Sequence, residues 1–162
     1  MNELVFTDQR VFRNTPGVRF SDITVPECNG IDLVEHSGPS VSPPDKDGRP
    51  SWYIHLHQTD NNRVIHGQRL FELFYPKWER PHWFVFLDED TGALQIPPGC
   101  FHRSYSGKQG SLLLNHAVRT ALFDETKDFT VCRCPSALDH PPHYHGISPW
   151  GVTTFINHGV YE

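Results

Sequence analysis

The chain has 162 residues, a net charge of −5 with histidine neutral, 37% hydrophobic and 12% aromatic residues. That length suits one domain able to bury a core. An acidic balance without a long Lys/Arg run argues against a nucleic-acid partner, and no apolar run approaches membrane-spanning length. The first residues, Met1-Asn-Glu-Leu, lack the basic and apolar regions of a secretory leader. The four cysteines, Cys28, Cys100, Cys132 and Cys134, show no disulfide-framework spacing, so a reduced, cytoplasmic protein is expected.

Fourteen prolines, twelve glycines and many short Val/Ile/Phe runs predict an all-β domain rich in turns. Strands are expected near Leu4–Thr7, at Val11–Arg13 or Gly17–Phe20, and extended by Ile23–Val25 and Ile31–Glu35. The polar stretch 37–50 carries four prolines and reads as a surface loop or a flap over a cavity. In Trp52-Tyr-Ile-His-Leu-His57, strand alternation puts Tyr53, His55 and His57 on one face, toward the cavity. Gln58–Asn62 reads as a turn, Arg63–Gly67 as a strand that bends at Gly67, and Gln68–Phe74 as its continuation. Trp83–Leu87 is a nearly continuous apolar strand, Ser111–Arg119 a further one, and Phe129–Cys134 follows an acidic turn at Asp124–Asp128. The Pro/His-rich tail from Pro135 ends with a candidate strand at Val152–Ile156. Eight to ten short strands of this kind fit a β-sandwich or a jelly roll.

The stretch that organises the chain runs from Gly92 to His102. Asp88–Gly92 signals a hairpin turn and Leu94–Ile96 a short strand. Pro97 and Pro98 fix φ and cannot donate to a ladder, and Gly99 supplies a conformation other residues resist. His102 follows where the next strand begins, so a stiff turn aims its imidazole. His55 and His57 are two of eleven histidines. Side by side on a strand face their rings lie about 7 Å apart along the chain, and His102 from a neighbouring strand can converge with them. Three imidazoles completed by Asp60, His116 or water suit a divalent transition metal: Zn, Fe, Mn or Ni.

Ile96-Pro97-Pro98-Gly99 followed by His102 resembles the second motif of the cupins, and most of all the dTDP-4-dehydrorhamnose 3,5-epimerase (RmlC-like) branch. The resemblance covers about residues 52–119 and implies a cupin double-stranded β-helix, a small β-barrel, filling one domain over 1–162. The Pro/His-rich segment 135–162 would be an extension of it. In the metal-binding cupin pattern, His55-Leu-His57 and Gly67 are in place, and Asp60 is the nearest carboxylate to the missing Glu. In the epimerase pattern, His57 takes the base position and His102 the second histidine position. That family's Arg falls on Ile54, its Lys near Asp60 and its acid Tyr on Asn115.

The histidines imply an enzyme on a small polar substrate, by acid–base chemistry or with a metal, and the resemblance implies an isomerase- or epimerase-type reaction on a carbohydrate-like one. A non-catalytic ligand-binding cupin and a metal-dependent cupin oxygenase are the alternatives. Without metal, His57 is the candidate base and His102 or Tyr105 the proton donor. His116, alternating with Leu112, Leu114 and Val118, is expected to face inward, as is Glu72 between Leu70 and Phe74. Asp139-His-Pro-Pro-His-Tyr-His145 beside Cys132 and Cys134 fits no zinc module and reads as a loop crossing the barrel mouth. Related cupins pair, and an apolar strand such as Trp83–Leu87 needs cover, so a homodimer is expected.

Overall fold

The computed structural model describes residues 3–146. The chain opens with β1 (Val5–Thr7), a hairpin of β2 (Arg10–Thr15) and β3 (Val18–Asp22), β4 (Gly30–His36) and the short β5 (Ser40–Ser42). The middle holds β6 (Trp52–Ile54), β7 (Gln58–Gly67), β8 (Arg69–Phe74), β9 (His82–Leu87), β10 (Ala93–Ile96), β11 (Phe101–Ser106) and β12 (Ser111–Arg119). A one-turn helix α1 (Glu125–Asp128), β13 (Val131–Cys132), a 3-10 turn at Pro135–Asp139 and β14 (His143–His145) follow. The expected strand at Val152–Ile156, and Trp150, lie outside the described residues.

Pairing sorts the strands into two sheets. The first has the order β1-β10-β7-β12-β4 and the second β13-β6-β11-β8-β9-β14, with β5 also on β11; β2 and β3 form a separate pair. The sheets face each other as a jelly-roll sandwich. Their pairing does not close into a single barrel among the described residues, which corrects the β-barrel expected from the sequence. Between them Val64, Leu94, Ile96 and Leu113 of the first sheet pack on Phe71, Leu73, Val85 and Leu87 of the second. Each such side chain contributes about 1.5–3 kcal/mol relative to exposure. Every residue of β8 and β9 is buried, because the outer face of the second sheet is covered too. There Leu70, Phe84, Phe86 and Tyr105 cluster with Val41, and Trp52 and Phe74 pack on Cys134 and Ala137. Trp83–Leu87 is therefore covered within one chain and does not need the partner subunit expected from its sequence.

Several boundaries differ from expectation for local reasons. Gln58–Asn62 is not a turn but the start of β7, where Asp60 pairs with Ile96 of β10. Ile23–Val25 joins no strand. Within the loop 37–50, β5 pairs with β11, Val41 standing opposite Tyr105. The segment Asp139–His145 does not cross a mouth: β14 lies parallel to β9, His143 opposite Trp83. On β12 the inner face is Ser111, Leu113, Asn115 and Ala117, with Leu113 in the core. His116 thus points outward, since Leu112-Leu-Leu114 left the phase of the alternation ambiguous.

One end of the inter-sheet space is closed by a polar chain. Arg69, 1% exposed, donates through Nε to Ser111 Oγ at 2.8 Å. Ser111 and Ser106 hydroxyls meet at 2.6 Å, and His36 Nδ1 lies 2.8 Å from Ser106 Oγ. Burial, then the Arg69 charge, hold the His36 imidazole down to about 4. Gly110 packs directly under the His36 carbonyl, with φ at 69°.

Candidate metal centre and active site

The other end of the inter-sheet space holds the predicted histidines. Strand β6 stops at Ile54, and residues 55–57 form a bend that carries the chain from the second sheet to the first. His55 and His57 therefore do not share a strand face. The bend is pinned by Asp128, whose Oδ1 accepts the backbone N–H of Leu56 and of His57, both at 2.9 Å. Two adjacent donors on one oxygen turn the chain, and the turn sends the two imidazoles in different directions.

His55 goes inward and is 5% exposed. Its Nδ1 donates to the backbone carbonyl of Asp128 in a short hydrogen bond. The Pro97-Pro98-Gly99 turn is tied to the same residue, because Gly99, at φ 82°, donates its N–H to the His55 carbonyl at 2.7 Å. Directly after the turn, the Cys100 carbonyl accepts His102 Nδ1–H at 3.1 Å. Both rings thus commit Nδ1 protons to carbonyls, which in the neutral form leaves an Nε2 lone pair on each.

Both lone pairs converge on one atom. His55 Nε2 lies 3.5 Å and His102 Nε2 3.6 Å from Asp60 Oδ2. A tetrahedral ion with bonds of roughly 2.1 Å separates its ligand atoms by about 3.4 Å. The two imidazoles and the carboxylate, their ligand atoms all within 4.8 Å of one another, could hold a divalent cation, and no other group of ligating side chains is so placed among the described residues. Burial drives His102 down to about 4; Asp60 opposes that shift and His55 adds to it. His102 accordingly stays a neutral donor at ordinary pH. Tyr53 lies 5.9 Å from the His102 ring and Phe129 5.1 Å from His55, so aromatic rings wall the cluster.

His57 does not join this trio. Its ring is about one-third exposed, and its Nδ1 stands 3.3 Å from Asp128 Oδ2. Burial would raise the Asp128 carboxyl, but N–H donors from Asp124, His57 and Leu56 outweigh it and hold the group down to about 2. Asp128 thus orients both histidines: its carbonyl holds His55, its carboxylate holds His57. It escaped the sequence reading as one acid in an acidic turn. The only available signal was its buried neighbour set, which the sequence does not display.

Other expected contributors lie elsewhere. Tyr105 is on the opposite face of β11 from His102 and donates to Glu72 Oε2 at 2.5 Å, so it does not reach the trio. Glu72 faces outward as well, bonded to His82 Nε2 at 2.9 Å, which supplies the partner a buried carboxylate requires. Asn115, the residue at the resemblance's Tyr position, does reach the centre: its Nδ2 donates to Asp60 Oδ1 at 2.8 Å. In the tail, His145 stacks on Phe6 and His143 tilts against Trp83, with no cluster of metal ligands around Cys132 and Cys134 among the described residues.

No protein-family model and no curated protein matches the chain. Solved structures do. RmlC, a dTDP-6-deoxy-D-glucose-3,5-epimerase from Legionella pneumophila, superimposes with a TM-score of 0.61 at 12% identity, over 92% of this chain and 85% of its own. A dTDP sugar isomerase from Desulfovibrio desulfuricans gives 0.59 at 16% identity, over 82% and 84%. The QdtA 3,4-ketoisomerase from Thermoanaerobacterium thermosaccharolyticum, bound to TDP-4-keto-6-deoxyglucose, gives 0.57 at 13%, over 86% and 95%. Two facing antiparallel sheets, the Pro-Pro-Gly turn before β11 and these superpositions agree: the chain has the fold of the RmlC-like cupins.

Proposed function

We propose that this protein is an isomerase- or epimerase-type enzyme acting on a carbonyl-bearing sugar substrate, with a divalent metal held by His55, Asp60 and His102. The observation that carries the reading is Asp128, which fixes the inward metal-type histidine and the outward base-type histidine with one residue. The fold adds support, since its solved neighbours include sugar 3,4-ketoisomerases and a 3,5-epimerase. A divalent ion in the centre would polarise a substrate carbonyl or hydroxyl oxygen. His57, its Nδ1–H directed to the Asp128 carboxylate, keeps an Nε2 lone pair at the partly exposed rim. That nitrogen would take the proton from the hydroxyl-bearing carbon beside the carbonyl and deliver it on the same face to the former carbonyl carbon, while the hydroxyl proton passes to the former carbonyl oxygen; inversion at the first carbon would instead take a proton from solvent on the opposite face. Asp128 holds the ring's tautomer and steadies the imidazolium that forms.

Two further parts of the reading have narrower support. A homodimer would cover Ile31 and Leu33, which stand 66% and 63% exposed on the outer face of β4. A reduced, cytoplasmic setting suits Cys28, Cys100, Cys132 and Cys134, all of them free thiols. A metal-dependent oxygenase is the second reading, because two histidines and one carboxylate also suit non-haem iron(II).

The test starts with elemental analysis of protein purified without chelators or a histidine tag. Turnover follows with TDP-4-keto-6-deoxyglucose in D2O, read as deuterium entering the carbons next to the carbonyl. The expected result is about one metal per chain, lost in His55→Ala and in His102→Ala, with His57→Ala keeping metal and losing exchange. Protein carrying only traces of transition metal removes the metal from the reading. Exchange that survives His57→Ala removes the base. Iron with oxygen consumption would instead select the oxygenase.

A further inference from the structure

Asp60 is held from behind by a closed ring of side chains. Its Oδ1 accepts Gln58 Nε2 at 2.6 Å and Asn115 Nδ2 at 2.8 Å. The Gln58 amide cannot flip, because its Oε1 accepts Arg119 Nε at 2.7 Å. The Asn115 amide cannot flip either, because its Oδ1 accepts the Asn61 N–H at 2.9 Å. Asn115 Nδ2 also reaches Asp32 Oδ2 at 3.3 Å, and both Asp32 oxygens lie 2.8 Å from Arg119 Nη2. The cycle Arg119–Gln58–Asp60–Asn115–Asp32 then returns to Arg119.

The strands explain the closure. Gln58 pairs with Arg119 across β7 and β12, and Asn115 pairs with Asp32 across β12 and β4. Arg119 itself is clamped. Its guanidinium lies against Gly30, where a Cβ would meet Nη1 at 2.5 Å, and sits over the Phe123 ring, 4.6 Å from its centre. A planar fork is needed here, since Nε serves Gln58 while Nη2 serves Asp32. Every amide in the ring presents N–H to Asp60, so Oδ1 is saturated and Oδ2 alone faces His55 and His102.

We propose that Arg119 is a positioning residue for the metal centre: through Gln58 and Asp32 it fixes which Asp60 oxygen the metal meets, without touching the metal itself. The inference rests on the reading of His55, Asp60 and His102 as one centre, and it assigns a function to a polar network two layers from it.

Cobalt(II) is the probe, titrated into chelator-treated protein and followed by calorimetry and visible absorption. Arg119→Met is expected to weaken cobalt binding about 10–100-fold and to alter the visible bands, since second-layer partners act at that level. Arg119→Lys keeps the charge, loses the fork and should show the same changed bands. Asp32→Asn keeps the shape and opens the ring at its far side, which preserves the test if Arg119→Met fails to fold. Wild-type affinity and bands in the Arg119 and Asp32 variants would overturn the proposal. A second readout needs no metal. The side-chain amide protons of Gln58 and Asn115 should exchange slowly in wild type and quickly in Asp32→Asn. If wild type binds no cobalt yet those protons are protected, the metal reading fails and the ring stands as a device that orients Asp60. If the protons exchange freely in wild type, the ring itself is refuted.

Discussion

His36 gives the most direct test of how the polar end of the sandwich is built. Its imidazole lies at about 4 in the folded chain, against 6.5 for the ordinary group, because it is buried beside the Arg69 guanidinium. The unfolded chain therefore binds a proton that the folded chain refuses. The contribution of neutral His36 is complete above about pH 6.5, declines as pH falls toward 4, and declines no further below that. A shift of that size corresponds to about 3.4 kcal/mol in full, of which about 2.4 kcal/mol is lost between about pH 7 and pH 4.5. His36→Gln keeps a hydrogen-bonding group for Ser106 and cannot titrate. Urea unfolding of both proteins at the two pH values isolates the residue, since His102 and the carboxylates contribute to each alike. Wild type should lose about 2.4 kcal/mol more than the variant. Equal losses would show that His36 is solvated or that Arg69 does not face it, and the closed-end description would be wrong.

Two further outcomes follow from the geometry. Gly110→Ala should cost roughly 3 kcal/mol or more in chemical denaturation, because its Cβ would stand 2.1 Å from the His36 carbonyl oxygen at a positive φ; a cost below about 1 kcal/mol would contradict the packing. Asp128→Asn should exchange the His57 tautomer, seen in its ring nitrogen shifts, and lower kcat by roughly 10²–10⁴-fold with little change in KM; unchanged shifts would separate Asp128 from His57.

The fold was legible where local rules act alone. Ser111–Arg119 matches β12 residue for residue, and the Pro-Pro-Gly turn does deliver His102 to the first positions of β11. The failures share a cause: contacts made by residues distant in sequence. Alternation put His55 and His57 on one face, but Asp128, some seventy residues on, turns the chain between them. Gln58–Asn62 looked like a turn because its residues are polar, yet they line a polar interior and complete one another's hydrogen bonds. Asp60 was found for its carboxylate; the Gln58 and Arg119 that hold it carried no local sign. His116 was misplaced because one residue of phase decides the face of a strand, and Tyr105, named as a donor for its nearness to His102 in sequence, stands on the opposite face of β11.

The parallel docking of His143–His145 on β9 has a consequence for handling the protein. Strand β9 would otherwise end the second sheet, offering a row of free N–H and C=O groups between apolar side chains such as Trp83 and Val85. Such an open edge is a template on which another chain can add a strand. Tyr144 and His145 keep that edge occupied, stacked on Phe84 and Phe6. Any cut, fusion or tag that peels this short segment away leaves a sandwich primed for edge-to-edge polymerisation, with the histidine centre at the far strands still intact.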